Sequence, residues 1–442
     1  MKPVNIGIIG LGTVGSGVVR LLHRNAEEIS RRAGRSILAT HAVVRDTSLA
    51  RDCPTHLLFL TTNPYDVTDN SEIDIVIELV GGIGFAQDVI QRALENGKHV
   101  ITANKALIAK HGNEIFSLAL NKGLTVAFEA AVGGGISIIK VLREGLSGNF
   151  INRIVGIINS TSNYILSDMS ENTVELSESL RNAQQLGYAE TDPRFDIEGI
   201  DAAHKLAILA SIAYGIPLQF DRVYIEGISE ITSTDIAYAD ELGYRIKHLG
   251  IAVRRSNGIE LRAHPCLVKK DELLATVNGI MNAIQIDGDA VGHTLHYGAG
   301  AGSEPTASAV VADIVDVVRA LTSDPNNRVP HLAFQPQLLS DLSILDIEEA
   351  KIPFYLRLDA FNEPGVLADI THILGVHLIS IEAIQQKETN SEDGIVTILI
   401  ITHEIVEKFM NEAIKEIEAL DCVSGRVKRI RLHLSDAKKI VS

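Results

Sequence analysis

Strand-like and helical stretches alternate through residues 1–129, a turn of closely spaced glycines joins the first strand to the first helix, and residues 353–434 carry strands and helices in a β-α-β-β-α-β order. These three observations predict an α/β protein. Its first domain is a doubly wound parallel sheet with a dinucleotide-binding turn. Its central domain is α+β, and its last is ferredoxin-like. At 442 residues the chain has room for about three such units.

Residues 4–9, VNIGII, form a short β-rich run, and GLGTVGSGVVRLLHRNAEEI turns from glycines into an amphipathic helix. ILATHAVVRD is the second strand, and DIVIELVGG, residues 74–82, the third. The helix FAQDVIQRALENG follows, and its Gly97 suits a helix stop. HVITANKALIAKHGNEIFSLALNKG repeats the strand-helix unit, and LTVAFEAAVGGG is the next strand. These units make up a domain over 1–129. Near residue 130 the character changes: VGGGISIIKVLREGL opens on three glycines and continues as a helix. Residues 130–330 are expected to form an α+β domain, except that the helix at 305–322, behind the loop GAGAGS, completes the first domain. Residues 331–352 are polar and proline-containing and read as a linker. Beyond it, FYLRLDAF alternates as a strand and GVLADITHIL is a helix; IVTILIITH, EIVEKFMNEAIKEIEAL and VKRIRLHL add strand, helix and strand.

Composition narrows the function classes. With 46% hydrophobic and 22% charged residues the chain is globular. A net charge of -16 argues against nucleic acid and anionic membrane as partners. No apolar run approaches the roughly 18 residues of a membrane span. The N-terminal apolar run is short and leads into a glycine turn, unlike a signal peptide. Cys53, Cys266 and Cys422 are scattered, with no CxxC, so neither a disulfide framework nor a zinc site is expected, and a reducing cytoplasm is.

Two stretches carry chemistry. Gly10, Gly12 and Gly15 stand at GxGxxG spacing between a strand and a helix, with Thr13 and Val14 inside the motif. Glycine there permits a tight turn and close approach of backbone to a pyrophosphate at the helix N-terminus. This Rossmann-type reading, with NADP or NAD as cofactor, competes with a glycine turn made for packing. The second strand ends in Arg45-Asp46. An acidic residue would bind the 2′-hydroxyl of NAD, and an arginine the 2′-phosphate of NADP. Arg45 comes first, which favours NADP, although a solvated loop arginine fits equally. Later strands end in Gly81-Gly82, Asn104-Lys105 and Glu129, at the carboxyl edge where ligands bind such sheets. Lys105 is placed where nicotinamide and substrate would meet; on position alone a surface lysine is as good an account.

The other stretch is ETDPRFDIEGIDAAHKLAILA, residues 190–210. Five carboxylates, Glu190, Asp192, Asp196, Glu198 and Asp201, precede Lys205 on an apolar helix. Asp201 and Lys205 are four apart and share one helix face. A structural ion pair is the plain alternative, but a buried charge is costly unless its position matters. His204 points about 100° away around the helix and suits the core or an interface. His293 and His296 are expected in a turn, without a carboxylate partner at metal-ligand spacing.

IGIIGLGTVGSGVV, IELVGG, ITANKALIA, FEAAVGGGI, GIINSTSNYIL, LGYAETDPRFDIEGIDAAHKLAILA and GAGSEPTASAVVADIVD together resemble homoserine dehydrogenases, in order over roughly the first 330 residues. NEPGVLADITHILGVHLISIEAI resembles an ACT domain. The resemblance implies NAD(P)-dependent interconversion of L-homoserine and L-aspartate 4-semialdehyde, in threonine, methionine and isoleucine biosynthesis, by a homodimer or homotetramer. It implies that Lys205 is the acid/base, that Glu190 and Asp201, with Asp196, bind the substrate, and that Lys105 lies beside substrate and nicotinamide. Gly187 and Gly302 would approach the cofactor, and residues 130–330 would be the substrate-binding and dimerisation domain. Glu129, with the carbonyls of Val132, Gly134 and Ile136, would hold a structural sodium ion, for which oxygen ligands are suitable.

The chemistry agrees with those roles. A carbonyl receiving hydride develops negative charge, which a nearby ammonium stabilises and protonates. Burial lowers a lysine pKa, while Asp201 opposes that. Three positions depart from the family pattern: Ser160 replaces a usual glycine, Asn362 an aspartate and Leu378 a glycine. A thioester-forming semialdehyde dehydrogenase would need a nucleophilic cysteine, and Cys53 and Cys266 lie away from the crevice motifs. A non-catalytic amino-acid sensor would not need Lys105, Lys205 and Glu190 together.

Overall fold

The computed structural model describes residues 2–388 and 394–433. The expected C-terminal boundary at 434 lies just outside them. Six strands form the first sheet: β1 (Val4–Ile9), β2 (Ile37–Val43), β3 (Phe59–Thr61), β4 (Ile75–Glu78), β5 (His99–Thr102) and β6 (Val126–Ala127). All neighbours are parallel, in the order β3-β2-β1-β4-β5-β6. β4 and β5 are buried at every residue, and their central residues are apolar on both faces rather than alternating. β3 was not expected. It is three residues long, half-exposed at the sheet edge and flanked by Pro54 and Pro64, too short to show a period. LTVAFEAAVGGG is strand only at Val126–Ala127, and Glu129–Ala131 is already a 3-10 turn. After the glycines, the expected single helix is an α-turn, Ile138–Lys140, that widens into a π-turn at Val141–Gly145.

The helix Ser303–Ala320 returns to the first sheet. Its Ala307, Val310 and Ile314 join one core with Val18, Val19 and Leu22 of the helix Thr13–Arg24. Gly17 makes the close approach possible: a Cβ there would sit 3.1 Å from the Cβ of Ala307.

The central domain is built on long antiparallel strands, β7 (Ile151–Ile157), β9 (Tyr244–Arg255), β10 (Gly258–Lys269), β11 (Met281–Gly288) and β12 (Gly292–Ala299), with short β8 (Tyr224–Ile225) against β10. The helix Ile200–Tyr214 is buried at every position from Asp201 to Tyr214. Its residues are mostly apolar on every face because layers cover it on more than one side. Leu206, Ala207 and Ala210 share a core with Leu107, Ile108 and Ile115 of the first domain and with Leu261 of β10. Lys205 is therefore carried into the junction between the two domains.

Beyond it, β14 (Phe354–Phe361), the helix Val366–Val376, β15 (Ile381–Glu388), β16 (Ile395–Thr402), the helix Glu407–Glu418 and β18 (Val423–Leu432) follow the β-α-β-β-α-β order. Their antiparallel order in space is β18-β14-β16-β15. A short pair, β13 (Lys351–Ile352) and β17 (Ile405–Val406), closes one side. This unit is not strung on a free tether. β18 pairs with β10 through Cys266–Arg431 and Leu267–Leu432, making a ten-stranded sheet with the central domain. The 331–352 segment, expected as a linker, packs along the body: Ile344 is buried and bridges Ile259, and Ser340 N donates to Gly215 O at 2.6 Å. Arg431, fully buried, pairs with Glu407 of its own unit and with Glu226 of the central domain at 2.7 Å. Among the described residues no helix is long and apolar enough to cross a membrane.

Candidate active site

The sheet order reverses between β1 and β4, which opens a crevice at their carboxyl ends. Gly10 has φ +106, and a Cβ on it would meet Leu79 O at 2.9 Å. A Cβ on Gly15 would lie 2.0 Å from Gly10 O, so that position admits only glycine. Around Gly12 nothing stands within 4 Å of a would-be Cβ, and no side chain caps the helix it begins. The first N–H groups, including those of Thr13 and Val14, thus remain for an anion. Ser303 Oγ donates to Thr13 O at 2.7 Å, which brings the second glycine loop, with Gly302 at φ +120, beside the first. Arg45 is exposed just past β2. Asp46 Oδ1 instead accepts Ser48 N at 2.8 Å and Ser48 Oγ at 2.6 Å, bonds that hold its carboxyl below the usual range.

Lys105 is the first residue of the helix Lys105–Asn121, at the carboxyl end of β5. Its Nζ lies 2.8 Å from Asp201 Oδ1, and Lys205 Nζ lies 2.7 Å from Asp201 Oδ2. One buried carboxylate therefore joins a lysine from each domain. Lys205 Nζ also donates to Ile158 O at 2.7 Å, at the end of β7. Two of its three donors are thus used inside the protein, leaving one for a ligand. The two lysines differ in enclosure, with side chains 35% and 9% exposed. The Asp201 charge raises the pKa of Lys105, ahead of burial. At Lys205 burial wins over Asp201, the Lys105 charge adds to it, and the pKa falls. Burial alone would push up the Asp201 carboxyl, but the two lysines outweigh it and hold it ionised well below the usual range. Neighbouring groups with pKa values pushed apart suit an acid–base centre.

Asp196 joins the same cluster through Asn159, whose Nδ2 donates to Asp196 Oδ1 and to Asp201 Oδ2, both at 2.7 Å. Burial raises the Asp196 pKa. Glu190 lies exposed on the rim, close enough to Lys105 for its charge to contribute to that lysine's raised pKa. Gly187, at φ +75, sits on the same exposed turn, which Thr161 Oγ1 ties down through Tyr188 O at 2.8 Å. Asp192 pairs with Arg194 in solvent, and Glu198 is exposed, so the five-carboxylate run divides between site and surface.

Asn159 was not singled out from sequence. Its signal was an asparagine between a strand end and the helix Ser160–Asn172, which it caps by accepting Ser162 N at 2.7 Å. Ser160 Oγ donates to Asn282 Oδ1 at 2.9 Å. His204 is a core residue: its ring stacks on Phe220 at 4.1 Å, and burial lowers its pKa to about 4. His293 and His296 lie on β12, not in a turn, and His293 Nδ1 is 2.5 Å from Asp287 Oδ1. The pair is six positions apart in sequence, and antiparallel pairing sets them opposite one another. Burial pushes the Cys266 thiol up to about 12, unsuited to a nucleophile.

Glu129, Val132, Gly134 and Ile136 share the connection that follows β6. Glu129 is buried, and its oxygens accept Ile139 N and Lys140 N, each at 2.9 Å. Burial, reinforced by the charge of Asp313, pushes its pKa up to about 7. Gly133 and Gly134 have positive φ, and a Cβ on Gly134 would meet Gly300 O at 2.5 Å. Among the described residues no group of three or more His, Cys, Asp or Glu side chains could hold a metal ion. A cation here would have to rest on fewer than three such side chains together with backbone carbonyls.

Two family profiles match the chain: homoserine dehydrogenase over residues 138–315 and homoserine dehydrogenase, NAD binding domain over residues 10–129. The homoserine dehydrogenase of Pseudomonas aeruginosa is 59% identical over 432 residues, which span 98% of this chain and 99% of that one. A crystal structure of a homoserine dehydrogenase from Thiobacillus denitrificans, also 59% identical, superposes with a TM-score of 0.94 and covers 98% of each chain. A hyperthermophilic archaeal homoserine dehydrogenase in complex with NADPH is 26% identical and matches with a TM-score of 0.60 over 72% of this chain and 98% of its own.

Proposed function

The chain belongs to the homoserine dehydrogenase family, NAD(P)-dependent oxidoreductases, and we propose that Lys205 is the acid–base group of its reaction. The family implies L-homoserine and L-aspartate 4-semialdehyde as substrates. The observation that carries the assignment of roles is Asp201 held between Lys105 and Lys205. Lys105, kept as an ammonium, orients the substrate at the crevice. Lys205, with its lowered pKa, takes the hydroxyl proton of homoserine as the C–H bond gives up its hydride, and returns the proton in the reverse direction. The nicotinamide, when bound, supplies the carbon that accepts the hydride. The uncapped helix at Gly12 and the glycine packing at Gly15 fit its pyrophosphate. Asp201, Asp196 and rim Glu190 give negative charge for the substrate ammonium. Apolar packing of the Lys205 helix excludes water around the transfer. Addition of L-homoserine to enzyme with NADP, and separately NAD, should produce the reduced cofactor. A protein that binds homoserine but yields no reduced nicotinamide with either would end this reading.

The finer assignments stand on the same footing. Arg45 reads the 2′-phosphate, since Asp46 is engaged by its own turn. Gly187 and Gly302 flank the cofactor. A sodium ion held by Glu129 and the carbonyls of Val132, Gly134 and Ile136 would neutralise a buried carboxylate that otherwise sits beside Asp313. The β-α-β-β-α-β unit is an ACT domain. The assembly is a homodimer or homotetramer, which light scattering at micromolar concentration tests. The setting is the cytoplasm, in threonine, methionine and isoleucine biosynthesis.

A further inference from the structure

A buried relay lies beneath Lys105. Glu78, the last residue of β4, has no solvent exposure. Its Oε1 accepts Val80 N at 2.8 Å and Gly81 N at 3.0 Å. Its Oε2 accepts the hydroxyl of Thr102, the last residue of β5, at 2.6 Å. Thr102 Oγ1 accepts Asn104 N at 3.0 Å. Asn104 caps the Lys105 helix by accepting Leu107 N at 3.1 Å, and its Nδ2 reaches back to Gly82 O at 2.6 Å. The hydrogen bonds close a ring that runs from β4 to β5, through the cap, and back to the loop after β4. The loop itself has Gly81 and Gly82 at φ +71 and +72, and nothing stands within 4 Å of a Cβ on either. Both glycines therefore front open space at the crevice where strand order reverses.

A carboxylate and a threonine buried at adjacent strand ends are not needed to hold two parallel strands, whose backbones already pair from Ile75–His99 to Glu78–Thr102. A Val–Val pair would do that without burying polar groups. What the ring adds is a fixed relation between the glycine loop and the first turn of the Lys105 helix, and a residue at that first turn moves as its cap moves. We propose that Glu78 and Thr102 are positioning residues for catalysis: through Asn104 they hold Lys105 at its distance from Asp201. The proposal rests on the reading of Lys105 as part of the active site.

Thr102→Val keeps the shape and removes the hydroxyl; Thr102→Ser keeps the hydroxyl. The whole enzyme is assayed for homoserine oxidation, with kcat and KM taken separately and folding followed by thermal melting. Thr102→Val should lower kcat by on the order of 10-fold to 10²-fold, the penalty of slightly misplacing a reacting group, and Thr102→Ser should recover most of it. In a Lys105→Ala background Thr102→Val should lower kcat by less than about twofold, because the group it positions is gone. If Lys105→Ala is crippled while folded Thr102→Val turns over like wild type, the relay idea is wrong and the active-site reading stands. If Lys105→Ala is itself fully active, the underlying reading fails. Equal losses for Thr102→Val in both backgrounds would show that the ring acts on something other than Lys105 and would overturn the proposal.

Discussion

Replacing Lys205 by methionine isolates the ammonium from the volume it occupies. Methionine fills nearly the same apolar channel between Leu206, Ala207 and their neighbours, so packing changes little. Two buried acceptors lose a donor, Asp201 Oδ2 and Ile158 O, each 2.7 Å from Nζ. Asp201 is not orphaned, because Lys105 at 2.8 Å and Asn159 at 2.7 Å remain. The cost in stability should therefore fall below the 3–5 kcal/mol typical of a broken buried pair, to about 1–3 kcal/mol. The cost in rate should be larger: about 10²-fold or more in kcat, or at least about 2.7 kcal/mol of barrier, the contribution of one acid–base group. The pH profile carries the diagnosis. Homoserine oxidation needs Lys205 neutral, so wild-type activity should rise with pH through the lowered pKa of Lys205. That dependence should vanish in Lys205→Met. The assay follows reduced nicotinamide at saturating homoserine, alongside thermal melting. A folded Lys205→Met enzyme that keeps more than about a tenth of wild-type turnover, or an unchanged pH limb, would refute Lys205 as the base.

Arg45→Ala should raise the Kd of NADP on the order of tenfold and leave NAD within about twofold, since only NADP offers a 2′-phosphate to the guanidinium; equal losses in a titration of both cofactors would remove Arg45 from the role. His99 and His331 accept Thr125 N and Val126 N, each at 3.0 Å, and burial lowers both to about 4 from the ordinary 6.5. Their contribution to stability is complete above pH 6.5 and declines as pH falls toward 4, because the unfolded chain takes up the protons first; each accounts for up to about 3 kcal/mol. Melting temperature should drop through that window, and His331→Gln should flatten the slope; an unchanged slope contradicts the account. Leu378 adopts φ +58 with its side chain 83% exposed, so Leu378→Gly should stabilise the protein by about 1 kcal/mol, read by denaturant unfolding. Threonine should inhibit weakly or not at all, since Asn362 lacks the usual negative charge and its Oδ1 accepts Gln386 Nε2 at 3.1 Å; strong inhibition by sub-millimolar threonine in the dehydrogenase assay would contradict this.

Leu378 also shows where reading from sequence stops. Its place in a turn that wants glycine was legible, and the positive φ is there. Its side chain stands in solvent, and only the fold determines which way a turn faces. The same division runs through the molecule. Glycine spacing in residues 10–15, apolar runs at β1, β4 and β5, and the four-residue interval from Asp201 to Lys205 are local patterns. Backbone sterics and helix periodicity tie them directly to conformation, so the parallel sheet, the dinucleotide turn and the ion pair could be read from the chain. The meeting of Lys105 with Asp201 spans 96 positions and two domains. No local preference encodes it. It exists because a helix buried all round needs cover on several sides, and burying it against the Lys105 helix brings the two lysines to one carboxylate. Asn159, Glu78 and Thr102 escaped notice for a related reason: each is an ordinary polar residue at a strand end until its buried partners arrive from elsewhere. The docking of β18 on β10 is likewise tertiary, because an edge strand exposes the same unpaired backbone whatever its side chains, and only the packed body decides which edge it joins.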